Sequence, residues 1–206
     1  MRTFAEIAFT PAVRAQQEAH GSRASYAHMQ AGVYPGEGLG AQEEAYVASA
    51  DGFFLASVSE TGWPYVQHRG GPAGFLNVVS PTQIAFADFR GNRQYVSAGN
   101  VSRDNRVALI VMDYAHRKRL KILGRMRMVP VDQADPGLVR RVDLPGYRAR
   151  VEQVAVIEIE AFDWNCPQHI TQRFTEAQVA EAARPLHERI AALEAQIREL
   201  PRSQDV

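Results

Sequence analysis

The sequence predicts a mainly β protein with helices at both ends, built around an antiparallel barrel. Six or seven β-rich segments lie between residues 53 and 159, and short turns separate most of them. Short turns favour antiparallel neighbours, because parallel strands need long crossovers that are usually helical. The segments before residue 51 and after residue 174 are rich in alanine, glutamine and glutamate, a composition typical of helices.

Composition indicates a folded chain of balanced charge. Of its 206 residues, 46% are hydrophobic, and 23 Lys and Arg balance 23 Asp and Glu. Nucleic-acid and membrane-surface binders usually carry a basic surplus, so we expect neither partner. The apolar run at residues 107–112 is too short to span a bilayer, and the first residues do not resemble a signal peptide. With a single cysteine as well, these features predict a cytoplasmic protein.

The N-terminal region predicts helices separated by glycine. Residues 10–31 fit a helix in which Thr10 caps the start and Pro11 takes the first position. Gly21 interrupts this helix and is expected to split it. Residues 34–40 predict a loop, and residues 41–50 predict a short helix.

The strand region is expected to begin with a hairpin. Residues 53–58 and 63–69 are β-rich and flank a four-residue polar turn. Further strands are predicted at residues 75–79, 83–89, 107–113, 119–129 and 153–159. Residues 92–100 predict a short helix between strands, and residues 132–150 predict a long connection with one helical turn.

The clearest predicted helix covers residues 175–200. Thr175 and Gln178 have the spacing of a capping box. Apolar residues then alternate in steps of four and three, at Leu186, Ile190, Leu193, Ile197 and Leu200. This repeat is too short for an autonomous coiled coil, so we expect it to pack on its own domain, with a dimer contact as the alternative. Pro185 predicts a kink or the start of a second helix.

Two segments combine polar side chains with backbone suited to a ligand. Gln67, His68 and Arg69 follow one another on a predicted strand that ends at Gly70 and Gly71, where the backbone can approach a planar ligand. Further along, a strand meets a short helix within the sequence Arg-Gly-Asn-Arg-Gln at residues 90–94. Free N–H groups of a helix start and nearby arginines together favour a phosphate ester.

A third segment, residues 164–169, reads Trp-Asn-Cys-Pro-Gln-His. Cys166 and His169 have a spacing compatible with a metal ion, but no second close pair exists, so we predict no metal site. The segment looks more like a hydrogen-bonding contact to a ring. Residues 117–127 carry alternating basic residues, which fit a solvated face or, alternatively, contacts to RNA.

Taken together, these segments resemble the FMN-binding split-barrel proteins related to pyridoxamine 5'-phosphate oxidase. The resemblance covers about residues 45–172 and is strongest at residues 51–58, 62–64, 67–71 and 92–94. It implies an antiparallel, Greek-key-like split β-barrel. Residues 1–44 would form an N-terminal helical extension and residues 173–206 a C-terminal amphipathic helix of the same compact unit.

The resemblance also implies a cofactor and its ligands. FMN would lie at the interface of a homodimer and exchange electrons or hydride with a small soluble substrate. Its binding residues would be Gln67, His68, Arg69, Gly70, Arg90, Asn92, Arg93, Gln94, Trp164, Asn165, Gln168 and His169. Arg93, with Arg69 or Arg90, would neutralise the phosphate, and His68 or His169 would donate a proton near flavin N5. Residues 164–169 would reach the flavin from the other subunit.

The sequence departs from the authentic oxidase near its C-terminus. In that enzyme a Trp-containing segment is followed by a paired-arginine motif that holds flavin and substrate phosphate. Here residues 164–169 are followed by a long helix, so oxidation of pyridoxamine 5'-phosphate is not predicted. Two alternatives stay open: a flavin- or haem-binding carrier or sensor without turnover, and an RNA-binding barrel that uses residues 117–127.

Overall fold

The computed structural model of the protein describes residues 1–31 and 38–199, with the backbone alone for residues 28–31. The helices are α1 (Phe4–Ala8), α2 (Pro11–Ala19), α3 (Arg23–Ala31), α4 (Ala41–Ala48), α5 (Val96–Arg103), α6 (Pro136–Val142) and α7 (Glu176–Glu199). The strands are β1 (Gly52–Val58), β2 (Pro64–Gly70), β3 (Asn77–Ser80), β4 (Gln83–Phe89), β5 (Arg106–Asp113), β6 (Lys118–Pro130) and β7 (Val151–Trp164). Most of the loop predicted at residues 34–40 lies outside the described residues.

The seven strands form one antiparallel sheet in the order β2-β1-β5-β6-β7-β4-β3. This arrangement confirms the mainly β fold with flanking helices. No ladder joins the edge strands β2 and β3 in the described sheet, so the barrel is split rather than closed. Strand β3 has only four residues and a register shift between Val78 and Ser80, which leaves little edge to pair.

The main core takes one face of the strands, and β4 and β7 also bury their other face. In β1, Phe53 and Leu55 are buried while the intervening Phe54 is exposed, as the two-residue period requires. Phe53 stacks on Phe75, with ring centroids 5.8 Å apart, and meets Phe86 edge-on. A second cluster, of Ala85, Ala87, Val142, Val154 and Val156, lies under α6.

The N-terminal helices follow the prediction in part. Gly21 has φ +69° and separates α2 from α3, as predicted. The sequence analysis missed α1, a five-residue helix closed by a capping box between Thr3 and Glu6. The short helix α5 begins at Val96 rather than Asn92, because Arg93 and Tyr95 adopt left-handed backbone conformations that interrupt a helix.

Helix α7 differs from two expectations. It runs continuously through Pro185, so the prediction that this residue starts a second helix is wrong. The capping box is confirmed, since Gln178 N donates to Thr175 Oγ1 and Thr175 N donates to Gln178 Oε1. The expectation that α7 packs on its own domain is also wrong. The core clusters contain no residue of α7, and none of its residues is buried.

Candidate functional site

A cleft of about 180 Å³ lies where β2, the end of β4 and the start of α5 meet. We name it the Arg93 cleft. It is lined by Tyr65, Gln67, Arg69, Asp88, Phe89, Gly91, Asn92, Arg93, Gln94, Tyr95, Val96, Ala98 and Glu152. The predicted ligands Gln67, Arg69, Asn92, Arg93 and Gln94 therefore come together, although they belong to separate segments.

The β2 wall of the cleft presents every second side chain of that strand. Tyr65, Gln67 and Arg69 are half-buried and share the face of β1 residues Phe53 and Leu55, with which Arg69 and Gln67 are in register. Gln67 Oε1 accepts hydrogen bonds from Ser97 Oγ at 3.1 Å and Tyr65 Oη at 3.4 Å. Because both bonds use the carbonyl end, the amide N–H groups of Gln67 keep their capacity to donate to a ligand.

An ion pair forms the floor of the cleft. Arg69 Nη1 lies 2.6 Å from Asp88 Oδ1, and Asp88 is buried. Burial raises the pKa of the Asp88 carboxyl, an effect that the neighbouring Arg69 opposes and Glu152 reinforces. Arg69 Nε is buried without a hydrogen-bond partner among the described residues. Buried N–H groups are nearly always paired, so this donor fits an acceptor brought by a ligand.

The loop between β4 and α5 supplies the opposite wall. Arg93 and Tyr95 have φ of 61° and 52°, and Asn92 Oδ1 accepts from Gln94 N at 3.1 Å. Left-handed backbone in residues other than glycine is costly and clusters at functional sites. Tyr95 precedes α5 without a side-chain cap, so the first N–H groups of that helix lack a capping acceptor. An anion at this point would gain from those groups and from the helix dipole.

Arg93 itself is exposed, and its contacts lead to an acidic residue. Arg93 Nε donates to Tyr95 Oη at 3.4 Å, a bond that raises the pKa of the guanidinium. Tyr95 Oη in turn donates to Glu152 Oε2 at 3.0 Å. Arg90 does not line the cleft, but its Nε lies 3.6 Å from Glu152 Oε1 at the rim. Two arginines and two carboxylates thus line the cleft, and a third arginine lies at its rim.

His68 lies on the opposite face of β2 from Gln67 and Arg69. Its ring meets Phe54 edge-on, with centroids 5.5 Å apart. The imidazole occupies a slot between two glycines: a Cβ at Gly52 would lie 2.6 Å from His68 Nε2, and one at Gly70 would lie 2.9 Å from His68 Cε1. Neither His68 nor Gly70 lines the Arg93 cleft, because neighbouring strand residues face opposite sides.

The third predicted segment lies away from the cleft within one protomer. Trp164 Nε1 donates to Glu43 Oε1 at 2.7 Å, and its ring packs edge-on against Tyr46 at 4.7 Å. With its amide oriented by the hydrogen-bond network, Asn165 accepts from the Arg119 guanidinium. Gln168 and His169 are exposed, and His169 has φ 62°. None of these residues lines the Arg93 cleft of its own chain.

A second cleft, of about 290 Å³, contains no predicted site residue. Tyr46, Asp51 and Asp113 contribute to it, together with residues that lead into α7.

Among the described side chains, no group of three His, Cys, Asp or Glu residues could share a metal ion. No helix in the described part of the chain is long and apolar enough to cross a membrane.

Acidic partners accompany basic residues of β6. Lys121 Nζ lies 2.7 Å from Asp163 Oδ2, and Arg125 pairs with Glu160, both carboxylates being on β7. Phosphate contacts need cations that are free to meet a negative backbone. The pairing therefore weighs against the RNA-binding alternative.

The sequence analysis missed several residues of the cleft. Asp88 follows four apolar residues of β4, and an acidic residue in a buried strand indicates a nearby cation. Glu152 had no comparable signal, because it reaches the cleft only through the pairing of β7 with β4. The role of Ser97 likewise depends on how α5 packs.

Comparison with solved structures gives remote similarities. HupZ of Group A Streptococcus shares 11% identity and a TM-score of 0.49, covering 66% of this chain and all of its own. An FMN-binding protein from Syntrophomonas wolfei shares 14% identity over 60% of this chain and 85% of its own, with a TM-score of 0.43. A Clostridium acetobutylicum protein related to general stress protein 26, of the pyridoxinephosphate oxidase family, shares 11% identity with a TM-score of 0.43. The match covers 67% of this chain and 94% of that protein.

The sequence itself gives the firmer assignment. No curated protein matches the chain. The family model of pyridoxamine 5'-phosphate oxidase matches residues 39–165, well over half of the chain and all seven strands of the sheet. This match agrees with the split antiparallel sheet. The chain therefore belongs to the pyridoxamine 5'-phosphate oxidase family.

Proposed function

We propose that the protein is a homodimeric FMN-binding oxidoreductase in which the Arg93 cleft holds the phosphate end of the cofactor. One observation carries this proposal: the two predicted ligand segments, from β2 and from the β4–α5 loop, meet in a single cleft. Arg93 and the uncapped start of α5 provide positive charge there. Arg69 Nε, a buried donor without a partner among the described residues, also fits a phosphate or hydroxyl acceptor.

The size of the cleft indicates that one protomer supplies only part of the site. Its volume of about 180 Å³ is below the roughly 300–1,000 Å³ of pockets that enclose a whole small molecule. It suits a phosphate and part of a ribityl chain. The flavin ring would then extend beyond the cleft, where a second protomer would cover it.

A large apolar face of the sheet supports this pairing. Phe54, Val58, Val66 and Ile110 are exposed on the face opposite the core, where His68 also lies. Antiparallel sheets normally turn a polar face to water, so an apolar outer face indicates a surface covered by a partner. We infer that this face joins two copies of the chain.

Different residues of the chain would bind the cofactor and hold the exchanged proton. When bound, FMN supplies the transfer of electrons or hydride to or from a small soluble substrate. Arg93 holds the phosphate, and Gln67 donates to the ribityl hydroxyls. Asn165, Gln168 and His169 extend from the second copy towards the ring. His68, in its glycine slot, or His169 holds the proton that the reaction exchanges.

Replacing Arg93 by alanine tests the site directly. A charge-assisted contact contributes about 1.5–3 kcal/mol, so Arg93→Ala should weaken FMN binding about ten- to a hundredfold. Riboflavin lacks the phosphate and should bind wild type and variant almost equally. Arg103→Ala is the matched control, because Arg103 is an exposed arginine at the other end of α5. Fluorescence titration of the three flavin-free proteins with FMN and with riboflavin measures all six affinities.

Two results would reject this role of Arg93. The first is unchanged FMN affinity in Arg93→Ala, and the second is an equal loss of riboflavin binding. Redox function needs a separate measurement, in which NADH or NADPH is added to the flavin-loaded protein without oxygen. Bleaching of the flavin bands supports an oxidoreductase, whereas a carrier or sensor without turnover leaves them unchanged.

A further inference from the structure

Helix α7 presents an apolar stripe that no described part of its own protomer covers. Val179, Leu186, Ile190, Leu193 and Ile197 are 40–66% exposed, and no α7 residue is buried. Singly exposed apolar residues are ordinary, but these lie on one face of a 24-residue helix. A continuous stripe of this kind requires a covering surface.

The spacing of the stripe specifies what covers it. In heptad notation, position a is taken by Ala183, Ile190 and Ile197, and position d by Val179, Leu186 and Leu193. Isoleucine at a with leucine at d favours two parallel helices over larger bundles. Pro185 falls at an outward c position, so its ring does not interrupt the apolar face.

The charges beside the stripe agree with the same arrangement. Arg189 occupies a g position and Glu194 the e position five residues later. In a parallel pair, g of one helix faces this following e of the other, so two Arg189–Glu194 pairs form by symmetry. The remaining described e and g positions carry no acidic or basic residue apart from one histidine: Ala180, Ala182, His187 and Gln196. Arg184 instead bonds Glu181 and Glu188 along its own helix.

We propose that α7 associates with α7 of a second copy as a parallel, two-stranded coiled coil. Twenty-four residues give a helix about 36 Å long, which is short for an independent coiled coil. Joining through the outer face of the sheet raises the effective concentration of the two helices. This gain in effective concentration is the one part of the coiled-coil proposal that rests on the dimer proposed above. The sheet interface and the coiled coil then share one two-fold axis.

Cysteine cross-linking tests the register and direction of the pair. In a Cys166→Ser background, Ile197→Cys places a thiol at the far a position, and Arg198→Cys is the matched control at the adjacent outward b position. Under oxidised glutathione, Ile197→Cys should form a disulfide-linked dimer at least tenfold faster than the control. An antiparallel pair keeps the two copies of residue 197 far apart and prevents this link.

Charge exchange adds a second measurement in the same Ile197→Cys background. Arg189→Glu creates repulsion between the helices and should slow cross-linking at least threefold. Combining it with Glu194→Arg restores the attraction and should restore the rate. Failure of the double exchange to recover the rate would contradict the parallel pairing.

The outcomes separate this proposal from the flavin site. Cross-linking of Ile197→Cys that is no faster than that of Arg198→Cys overturns the coiled coil, even if the protein is dimeric and binds FMN. Rapid, charge-dependent cross-linking of a protein that binds no flavin supports the coiled coil and rejects the proposed function. Sedimentation of the same proteins in reducing buffer, before cross-linking, reports whether a non-covalent dimer is present.

Discussion

Asp88 is a buried carboxylate near the end of β4 and the one charged residue of that strand. Burial raises its pKa even though the Arg69 guanidinium lies 2.6 Å away. The folded chain therefore holds the Asp88 proton more tightly than the unfolded chain, whose carboxyl has a pKa of about 3.9. Between these two pKa values the unfolded state binds fewer protons, so ionisation of Asp88 lowers the free energy of unfolding as pH rises.

Asp88→Asn tests whether ionisation of Asp88 lowers the stability of the folded chain. The neutral variant should be at least as stable as wild type at pH 7, because asparagine resembles the protonated carboxyl. Its advantage should shrink at pH 4, where more of Asp88 is protonated. Urea unfolding of both proteins at the two pH values measures the difference. Wild type gaining stability over the variant from pH 4 to pH 7 would contradict the raised pKa.

The sequence predicts the position of a site residue where its neighbours along the chain carry the signal. Arg93 could be found because a basic residue stood at the predicted junction of a strand and a helix. The alternation of side chains along a strand already sets His68 apart from Gln67 and Arg69. The sequence could not place Glu152, because its position depends on the pairing of β7 with β4. Whether His169 meets a flavin depends on a second chain and stays a prediction.

At the scale of elements, Tyr46 joins α4 to the sheet. Its buried hydroxyl lies 3.1 Å from Val111 O and 3.0 Å from Lys118 O, on neighbouring strands. Burial raises the pKa of Tyr46, so the hydroxyl keeps its proton and remains a donor. Trp164 packs against the same ring and bonds Glu43 of α4.

Tyr46→Phe should lower the free energy of unfolding by about 1–2 kcal/mol, since it leaves buried carbonyl groups without that donor. The exposed Tyr147 offers the matched control, and Tyr147→Phe should change stability by less than about 0.5 kcal/mol. Denaturant unfolding monitored by circular dichroism measures both. Equal effects of the two substitutions would show that the Tyr46 hydroxyl does not anchor α4.

The order and type of the elements could be read from the sequence better than their ends. Strong turn signals and alternating apolar residues located all seven strands, yet β6 and β7 extend beyond the predicted limits. The start of α5 was misplaced because left-handed conformations at Arg93 and Tyr95 have no local signature. Periodicity identified the apolar stripe of α7, but periodicity alone does not say which surface covers a stripe.

For the molecule as a whole, the proposed dimer would connect the outer face of the sheet with cofactor binding. Phe54 and Ile110 are directly paired across β1 and β5, and both are exposed in the single chain. Burying such a face against a second copy removes apolar area from water. The same contact would complete a flavin site that is too small in one protomer.

Ile110→Asp should therefore weaken the dimer at least a hundredfold, because a carboxylate would be buried in an apolar interface. Val13→Asp is the matched control, since Val13 of α2 is 37% exposed and Ile110 is 40% exposed. Sedimentation at micromolar concentration measures the association. FMN affinity should fall together with dimerisation in Ile110→Asp and stay unchanged in Val13→Asp.

A monomeric Ile110→Asp variant that keeps full FMN affinity would show that one protomer suffices for the cofactor. A wild-type protein that sediments as a monomer would reject the dimer itself. Either result leaves the contacts within the Arg93 cleft as they are. It would remove only the role of the second copy.

Flavin binding is measured by the absorption spectrum of the protein after saturation with FMN and removal of free ligand. We expect flavin bands, one FMN released per protomer on denaturation, and weaker retention of riboflavin, which lacks the phosphate. A colourless protein after this treatment would contradict flavin binding. Bands that reflect haem rather than flavin would likewise contradict it.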